Sequence, residues 1–204
     1  MKKIARGWQY TVFPKGENTV LKVKTPPLVQ YFHLLIYKKQ FHFIKAFSAM
    51  RRVNALEKSS NIYIRSILHI LPHAMLGNPC FINDSDYEQD LVQPLGSIFE
   101  KASTEEKKEL LHSYVELIYE TWRYGFADDT FKFDKNNGLD KDGGVIQIDF
   151  GELLTNIEGV KQVINSRKWL KFSSYHRLHE LKPYYERLME ESLTISKLEL
   201  CLLY

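Results

Sequence analysis

Seven acids fall within one polar stretch of this sequence: Asp128, Asp129, Asp134, Asp140, Asp142, Asp149 and Glu152, interleaved with Asn136, Asn137 and Gly138. Carboxylates and amides gathered this way offer two kinds of chemistry. They can hold a cation through oxygen ligands, or accept a proton from a reacting hydroxyl. Asp149 stands apart because Ile146 and Ile148 precede it and Phe150 follows. An ionised acid closing an apolar strand must be hydrogen-bonded, paired or metal-bound, since burying it alone is costly. A helix N-cap or a turn aspartate would meet the same need. A calcium loop of EF-hand type is excluded by register, because it requires Gly at position 6 and Glu at position 12. Counting from Asp134 gives Leu139 and Val145, and counting from Asp140 gives Val145 and Gly151.

Charge is segregated along the chain. Residues 18–83 carry nine Lys or Arg and one acid, Glu57, whereas residues 84–142 carry fifteen Asp or Glu against seven Lys or Arg. A basic part facing an acidic part suits a cleft that receives an anion through cations, and two solvated surfaces of opposite sign would read the same way. The whole chain has 204 residues, a net charge of +3, 44% hydrophobic and 26% charged residues, which is ordinary for a globular protein of one domain or two small lobes. So small a net charge gives no sign of nucleic-acid binding. Cys80 and Cys201 stand far apart and form no metal spacing, which points to a reducing compartment. No apolar signal core or bilayer-length run is present, so a cytoplasmic location without a transmembrane segment is expected.

The elements that position the acids can be read from periodicity. Trp8, Tyr10 and Val12 alternate with polar residues, Pro14–Asn18 is turn chemistry, and Val20–Lys24 resumes as strand, giving a hairpin over 4–24. Pro27 suits a first helical position. Residues 28–58 read as helix in one or two pieces, with Leu28, Tyr31, Leu35, Ile44 and Phe47 as its buried stripe. Short strands are expected near Cys80–Ile82 and Leu91–Leu95. Ser103 and Glu106 have capping-box spacing ahead of a helix running to about Trp122. Val145–Ile148 is a compact strand, and 157–200 is helical. The order implies an α+β fold of two lobes.

The run from Asn136 through Gly143-Gly144 to Asp149-Phe150-Gly151 resembles the end of a protein-kinase catalytic loop leading into the D-F-G motif. Asn136 stands thirteen residues before Asp149, as in that family, with Asn137 as the alternative. The resemblance implies that Asn136 and Asp149 hold Mg²⁺ on the phosphates of ATP. Gly7–Phe13 resembles the phosphate-covering strand pair and Val20-Leu21-Lys22-Val23 resembles V-A-I-K. That implies a phosphate contact for Lys22, oriented by Glu57, and close backbone approach at Gly7; a surface strand lysine and a surface helix glutamate are the plain alternatives. Element order matches over roughly 4–155, most closely the short bacterial kinase-like proteins with an abbreviated C-terminal lobe, with lobes at 1–95 and 96–204.

The departures bear on activity. Gly7 stands alone, no H-R-D triplet occurs, Asp129 lies seven residues before Asn136, and the fifth residue before Asn136 is Phe131. Either Asp129 (or Asp128) acts as catalytic base from a lengthened loop, with Asp134 as a rival, or the chain is a pseudokinase. The first reading is a phosphotransferase with an unidentified acceptor; the second is a non-catalytic binding or regulatory module with a protein partner. Separately, Lys38, Lys39, Lys45, Arg51 and Arg52 on one helical stretch suit an anionic membrane or a partner helix, or a solvated basic face.

Overall fold

The computed structural model describes residues 4–7, 9–37 and 43–203; Trp8, Lys38 and Lys39 lie outside the described residues. The N-terminal part is an antiparallel sheet of β1 (Ala5–Arg6), β2 (Tyr10–Pro14), β3 (Thr19–Lys24), β4 (Cys80–Phe81) and β5 (Tyr87–Asp90), in the order β1-β2-β3-β5-β4. The hairpin registers Tyr10 with Lys24 and Val12 with Lys22, and Lys22 is in turn opposite Tyr87 on β5. Strand β5 reads Tyr-Glu-Gln-Asp, and its polar composition hides it from sequence reading. Tyr87 and Gln89 nevertheless point inward, fully buried and 2% exposed respectively. The strand expected at Leu91–Leu95 is instead the two-residue β6 (Gln93–Pro94) followed by helix α3 (Leu95–Phe99).

The basic helical stretch is two helices, α1 (Pro27–Tyr37) and α2 (Phe43–Ile67), with Pro27 at the first helical position. Its expected buried stripe is corrected by the structure. Leu28, Ile44 and Phe47 are exposed by 67%, 86% and 51%, while Leu34, Ala46, Met50 and Ile64 are buried. The apolar residues of this stretch are spaced around the whole circumference, so periodicity alone did not say which side packs.

Helix α4 (Thr104–Arg123) begins with the expected capping box: Glu106 N–H donates to the Ser103 hydroxyl, and Ser103 N–H donates to the Glu106 carboxylate. Its inward stripe of Leu111, Tyr114, Val115, Ile118 and Trp122 is the spine of the larger core, filled by Phe131, Phe133, Trp169, Tyr185 and Met189. Around it lie α6 (Ile157–Asn165), α7 (Ser173–His176), α8 (Lys182–Ser192) and α9 (Ile195–Cys201). A second core joins the sheet to this helical part through Tyr10, Ile64, Tyr87, Leu117, Phe126 and Phe150.

Between the two parts runs the chain that carries the acids. Strand β7 (Ala127–Asp128) pairs with β10 (Leu153–Leu154). The short helix α5 (Phe133–Asn136) leads into the hairpin of β8 (Asn137–Leu139) and β9 (Val145–Gln147), and β8 also pairs with β6. Two glycines are required here. Gly143 turns the hairpin at φ +84°, and a Cβ on Gly138 would stand 2.7 Å from the Gln93 carbonyl oxygen across the pairing.

Candidate functional site

The end of β9 is fixed by backbone and by burial. The Asn136 carbonyl accepts from Ile148 N–H at 2.7 Å and from Asp149 N–H at 3.1 Å, which ties the two expected metal ligands to one another through the main chain. Phe150 is fully buried, its ring 4.8 Å from that of Tyr87 and 6.2 Å from that of Phe81. The phenyl group therefore anchors the turn while Asp149, one residue before it, is left at the surface of a cavity. That carboxylate accepts from Gly151 N–H at 3.3 Å.

This cavity, of about 820 Å³, lies between the sheet and the helical part. Gly7, Lys22, Asn136 and Asp149 all line it. Its lining is mixed. Val12, Val20, Leu91 and Ile148 supply apolar surface, with Lys22 on the same sheet face as Val12 and Val20, while Lys22, Lys132, Lys135 and Lys171 supply cations against Asp90, Asp149 and Glu152. Gln9 lines it as well, and its side-chain nitrogen is buried with no hydrogen-bond acceptor among the described residues. A buried donor without a partner is uncommon, and a ligand oxygen in the cavity would satisfy it.

Lys22 projects from β3 so that its ammonium donates to the Ile148 carbonyl, 5.3 Å from the centre of the Tyr87 ring. Burial lowers its pKa below the usual lysine value, and the nearby Asp149 carboxylate opposes that shift. The expected pairing of Lys22 with Glu57 is corrected: Glu57 forms its ion pair with Lys24 and accepts from the Tyr10 hydroxyl at 2.7 Å. Lys22 and Lys24 point to the same face of β3, two residues apart, so strand parity allowed either, and α2 brings Glu57 to the far end. Glu57 is 1% exposed and does not line the cavity.

The acids expected to act as base are engaged within the protein. Asp128 accepts from Thr130 N–H at 2.7 Å, from the Thr130 hydroxyl at 2.8 Å and from the Asn136 amide at 2.9 Å. Burial raises its pKa, and those hydrogen bonds and Lys132 work in the opposite direction. Asp129 forms an ion pair with Lys168, Asp134 accepts from the Ser174 hydroxyl, and none of the three lines the cavity. Phe131, the fifth residue before Asn136, is 1% exposed and adopts φ +47°. Besides Asp149 and Asp90, the cavity is reached by Glu152, 3.7 Å from Lys132, which sequence reading did not single out as a site residue. Its place one step past Asp149-Phe150-Gly151 was the available signal.

Asn136 and Asp149 offer two oxygen donors at one wall of the cavity, and Lys22 with the Gln9 amide offers anion contacts nearby, a donor set that fits a phosphate chain carrying a divalent cation. Among the described residues, no group of three His, Cys, Asp or Glu gathers to hold a metal by itself. Such a site would therefore need oxygens from the ligand.

No family model matches the sequence, and no curated protein matches it. Among solved structures the chain is similar to Rv3197 of Mycobacterium tuberculosis, determined as a complex with erythromycin, at a TM-score of 0.50 and 16% identity over 95% of this chain and 64% of that one. It is also similar to monomeric WbdD, at a TM-score of 0.46 and 17% identity over 91% of this chain and 44% of the other. The chain thus spans less than two thirds of the length of either. The likeness to the first is one of fold: α+β, in two lobes, kinase-like. Among the described residues no helix is long and apolar enough to cross a membrane.

Proposed function

We propose that this chain binds ATP with Mg²⁺ in the cleft and acts as a phosphotransferase of kinase-like fold. One observation carries the reading: Lys22, Asn136, Asp149 and the Gln9 amide, which has no hydrogen-bond partner among the described residues, line a single cavity together with apolar residues of the sheet and of the strand end. Val12, Val20, Leu91 and Ile148 would receive the flat base, and Lys22 would contact the phosphates. Asn136 and Asp149 would hold the cation, which when bound neutralises phosphate charge. The main-chain bonds from Ile148 and Asp149 to Asn136 fix the backbone that carries those two side chains, and the Asn136 amide is held by Asp128 and Thr130, so little reorganisation would accompany binding. The acceptor would enter from the side of Glu152, Lys132 and Lys171, which leaves its class open to any small molecule or surface group bearing a hydroxyl.

A second reading, a non-catalytic regulatory module that binds nucleotide, is favoured by a specific observation. Asp128, Asp129 and Asp134 are all directed onto protein partners, and Phe131 occupies the fifth position before Asn136. Thermal-shift titration with ATP, with and without Mg²⁺, tests the binding common to both readings. Stabilisation of about 2.7 kcal/mol is expected at one hundred times the dissociation constant. Lys22→Met and Asp149→Asn should remove the Mg²⁺-dependent part while leaving the unliganded melting temperature nearly unchanged. No stabilisation at millimolar ATP would sink both readings. Stabilisation without phosphate release in the presence of varied hydroxyl acceptors would select the second.

A further inference from the structure

Helix α1 poses a problem of polarity. Its eleven residues, Pro27–Tyr37, include no charged side chain. A helix apolar all round belongs in an interior, yet among its described side chains only Gln30 and Leu34 are buried. Leu28, Phe32 and Ile36 repeat at every fourth residue along its outward face and are exposed by 67%, 51% and 66%. At the start of α2, Phe43, Ile44 and Phe47 are likewise exposed, by 67%, 86% and 51%. The Tyr31 ring joins the two helices, lying 6.1 Å from Phe32 and 6.4 Å from Phe47 in edge-on contacts. Single exposed apolar residues are ordinary, but a contiguous patch of them marks a surface that meets something else.

The charge around the patch identifies that partner. No Asp or Glu occurs between Glu17 and Glu57, and Glu57 faces inward onto Lys24. Lys45, Arg51 and Arg52 are exposed on α2. Arg51 lies one turn beyond Phe47, and Lys45 and Arg52, seven residues apart, share the adjoining flank. The six outward apolar side chains carry no group able to donate or accept a hydrogen bond. Protein interfaces supply about one hydrogen bond per 100–200 Å², whereas the acyl–headgroup boundary of a bilayer asks only for apolar bulk with cations beside it. A symmetric contact with a second copy would set this basic rim against itself.

We propose that the α1–α2 face docks on an anionic lipid bilayer, with Leu28, Phe32, Ile36, Phe43, Ile44 and Phe47 entering the acyl–headgroup boundary and Lys45, Arg51 and Arg52 meeting the lipid phosphates. The proposal is independent of the nucleotide reading, and its readout requires no nucleotide. It also agrees with the absence, among the described residues, of any spanning helix, because the surface lies on the membrane and does not cross it.

Co-sedimentation of the full chain with vesicles tests it, using phosphatidylcholine alone and phosphatidylcholine mixed equally with phosphatidylglycerol. The chain should sediment with the mixed vesicles and stay in solution with the neutral ones, and high salt should weaken binding. Replacing Lys45, Arg51 and Arg52 together by Gln should weaken it about a hundredfold, roughly fivefold for each cation removed from the surface. Phe32→Ser combined with Ile44→Ser should abolish it. Both variants alter exposed side chains, so their melting temperatures should match the parent's. Equal sedimentation with both vesicle types, or variants that bind like the parent, would overturn the proposal. So would a chain that ignores all vesicles, whether monomeric in light scattering or a dimer that Phe32→Ser with Ile44→Ser dissociates.

Discussion

Two acid-bearing segments lie side by side in this molecule and direct their carboxylates in opposite ways. In 128–134 every carboxylate has found a protein partner: Asp128 meets Thr130 and Asn136, Asp129 meets Lys168, and Asp134 meets Ser174 with Arg177 at 3.5 Å. In 149–152 the partners are sparse. Asp149 receives Gly151 N–H at 3.3 Å, Glu152 stands 3.7 Å from Lys132, and both line the cavity. Both segments combine acids with phenylalanine. What separates them is supply from elsewhere in the chain: α7 and the turn before it bring Ser174 and Lys168 to the first segment, while the second is held by backbone bonds to Asn136 and by the buried Phe150 ring. Satisfied acids are structural; those left facing a cavity are available for a ligand.

The largest effect that sharpens this contrast is expected at Asp128. Asp128→Ala would strand the Thr130 N–H and the Thr130 hydroxyl proton, each costing up to about 1–3 kcal/mol when buried without a partner, and would leave the Asn136 amide with only the Thr130 hydroxyl oxygen, at 3.0 Å. The residue is half-buried and water can recover part of that loss, so a destabilisation of about 2–3 kcal/mol is expected by urea unfolding. Asp149→Asn should stay within about 0.5 kcal/mol of the parent, as is usual where no buried partner is stranded. Equal losses at both positions would erase the distinction. A smaller effect, about 1 kcal/mol, is expected for Asp129→Ala, since its pair with Lys168 is neither fully exposed nor fully buried, at 14% and 25% side-chain exposure. A double-mutant cycle with Lys168→Met should return that same coupling. If Asp129→Ala instead abolished phosphate transfer with no coupling to Lys168, Asp129 would belong with the ligand-facing acids after all.

Much of this arrangement was legible in the sequence where the signal is local. The hairpin, the capping box before α4, the apolar strand ending at Asp149 and the spacing to Asn136 all depend on neighbours within a few residues. What escaped depends on distant partners. Glu57 chose Lys24 over Lys22 because of where α2 crosses the sheet, which no feature of either lysine announces. Strand β5 was hidden because its inward Tyr87 and Gln89 alternate with acids. The outward side of α1 was misread because a helix apolar all round gives no direction from periodicity. The candidate site therefore emerged from sequence as a set of residues, and the structure divided that set into those on the cavity (Gly7, Lys22, Asn136, Asp149) and those beside it (Glu57, Asp128, Asp129).

The smallest effect tests the comparison at its boundary, with Glu152. Burial raises its pKa above the usual glutamate value; Lys132 opposes the shift, and the Asp149, Asp128 and Asp129 carboxylates add to it. A raised carboxyl in the folded state means that folded protein keeps a proton which the unfolded chain has already released. Stability should therefore be greatest below the unfolded glutamate value of about 4.3, fall as pH rises toward the raised folded value, and level off above it. Asp128 is shifted in the same direction, so the parent's pH profile alone cannot isolate Glu152. Glu152→Gln keeps the shape of the side chain but never ionises, and the difference between variant and parent reports Glu152 by itself. Urea midpoints should show the variant gaining on the parent across that window and holding a constant advantage at neutral pH, because the cost of ionising a buried carboxyl, to which three other acids add, exceeds what Lys132 returns. A parent more stable than the variant at neutral pH would mean that the Lys132 pair dominates. Glu152 would then be an anchored acid of the same kind as Asp128 and Asp129, and Asp149 would be left beside Asn136 as the ligand-facing acid of the 149–152 segment.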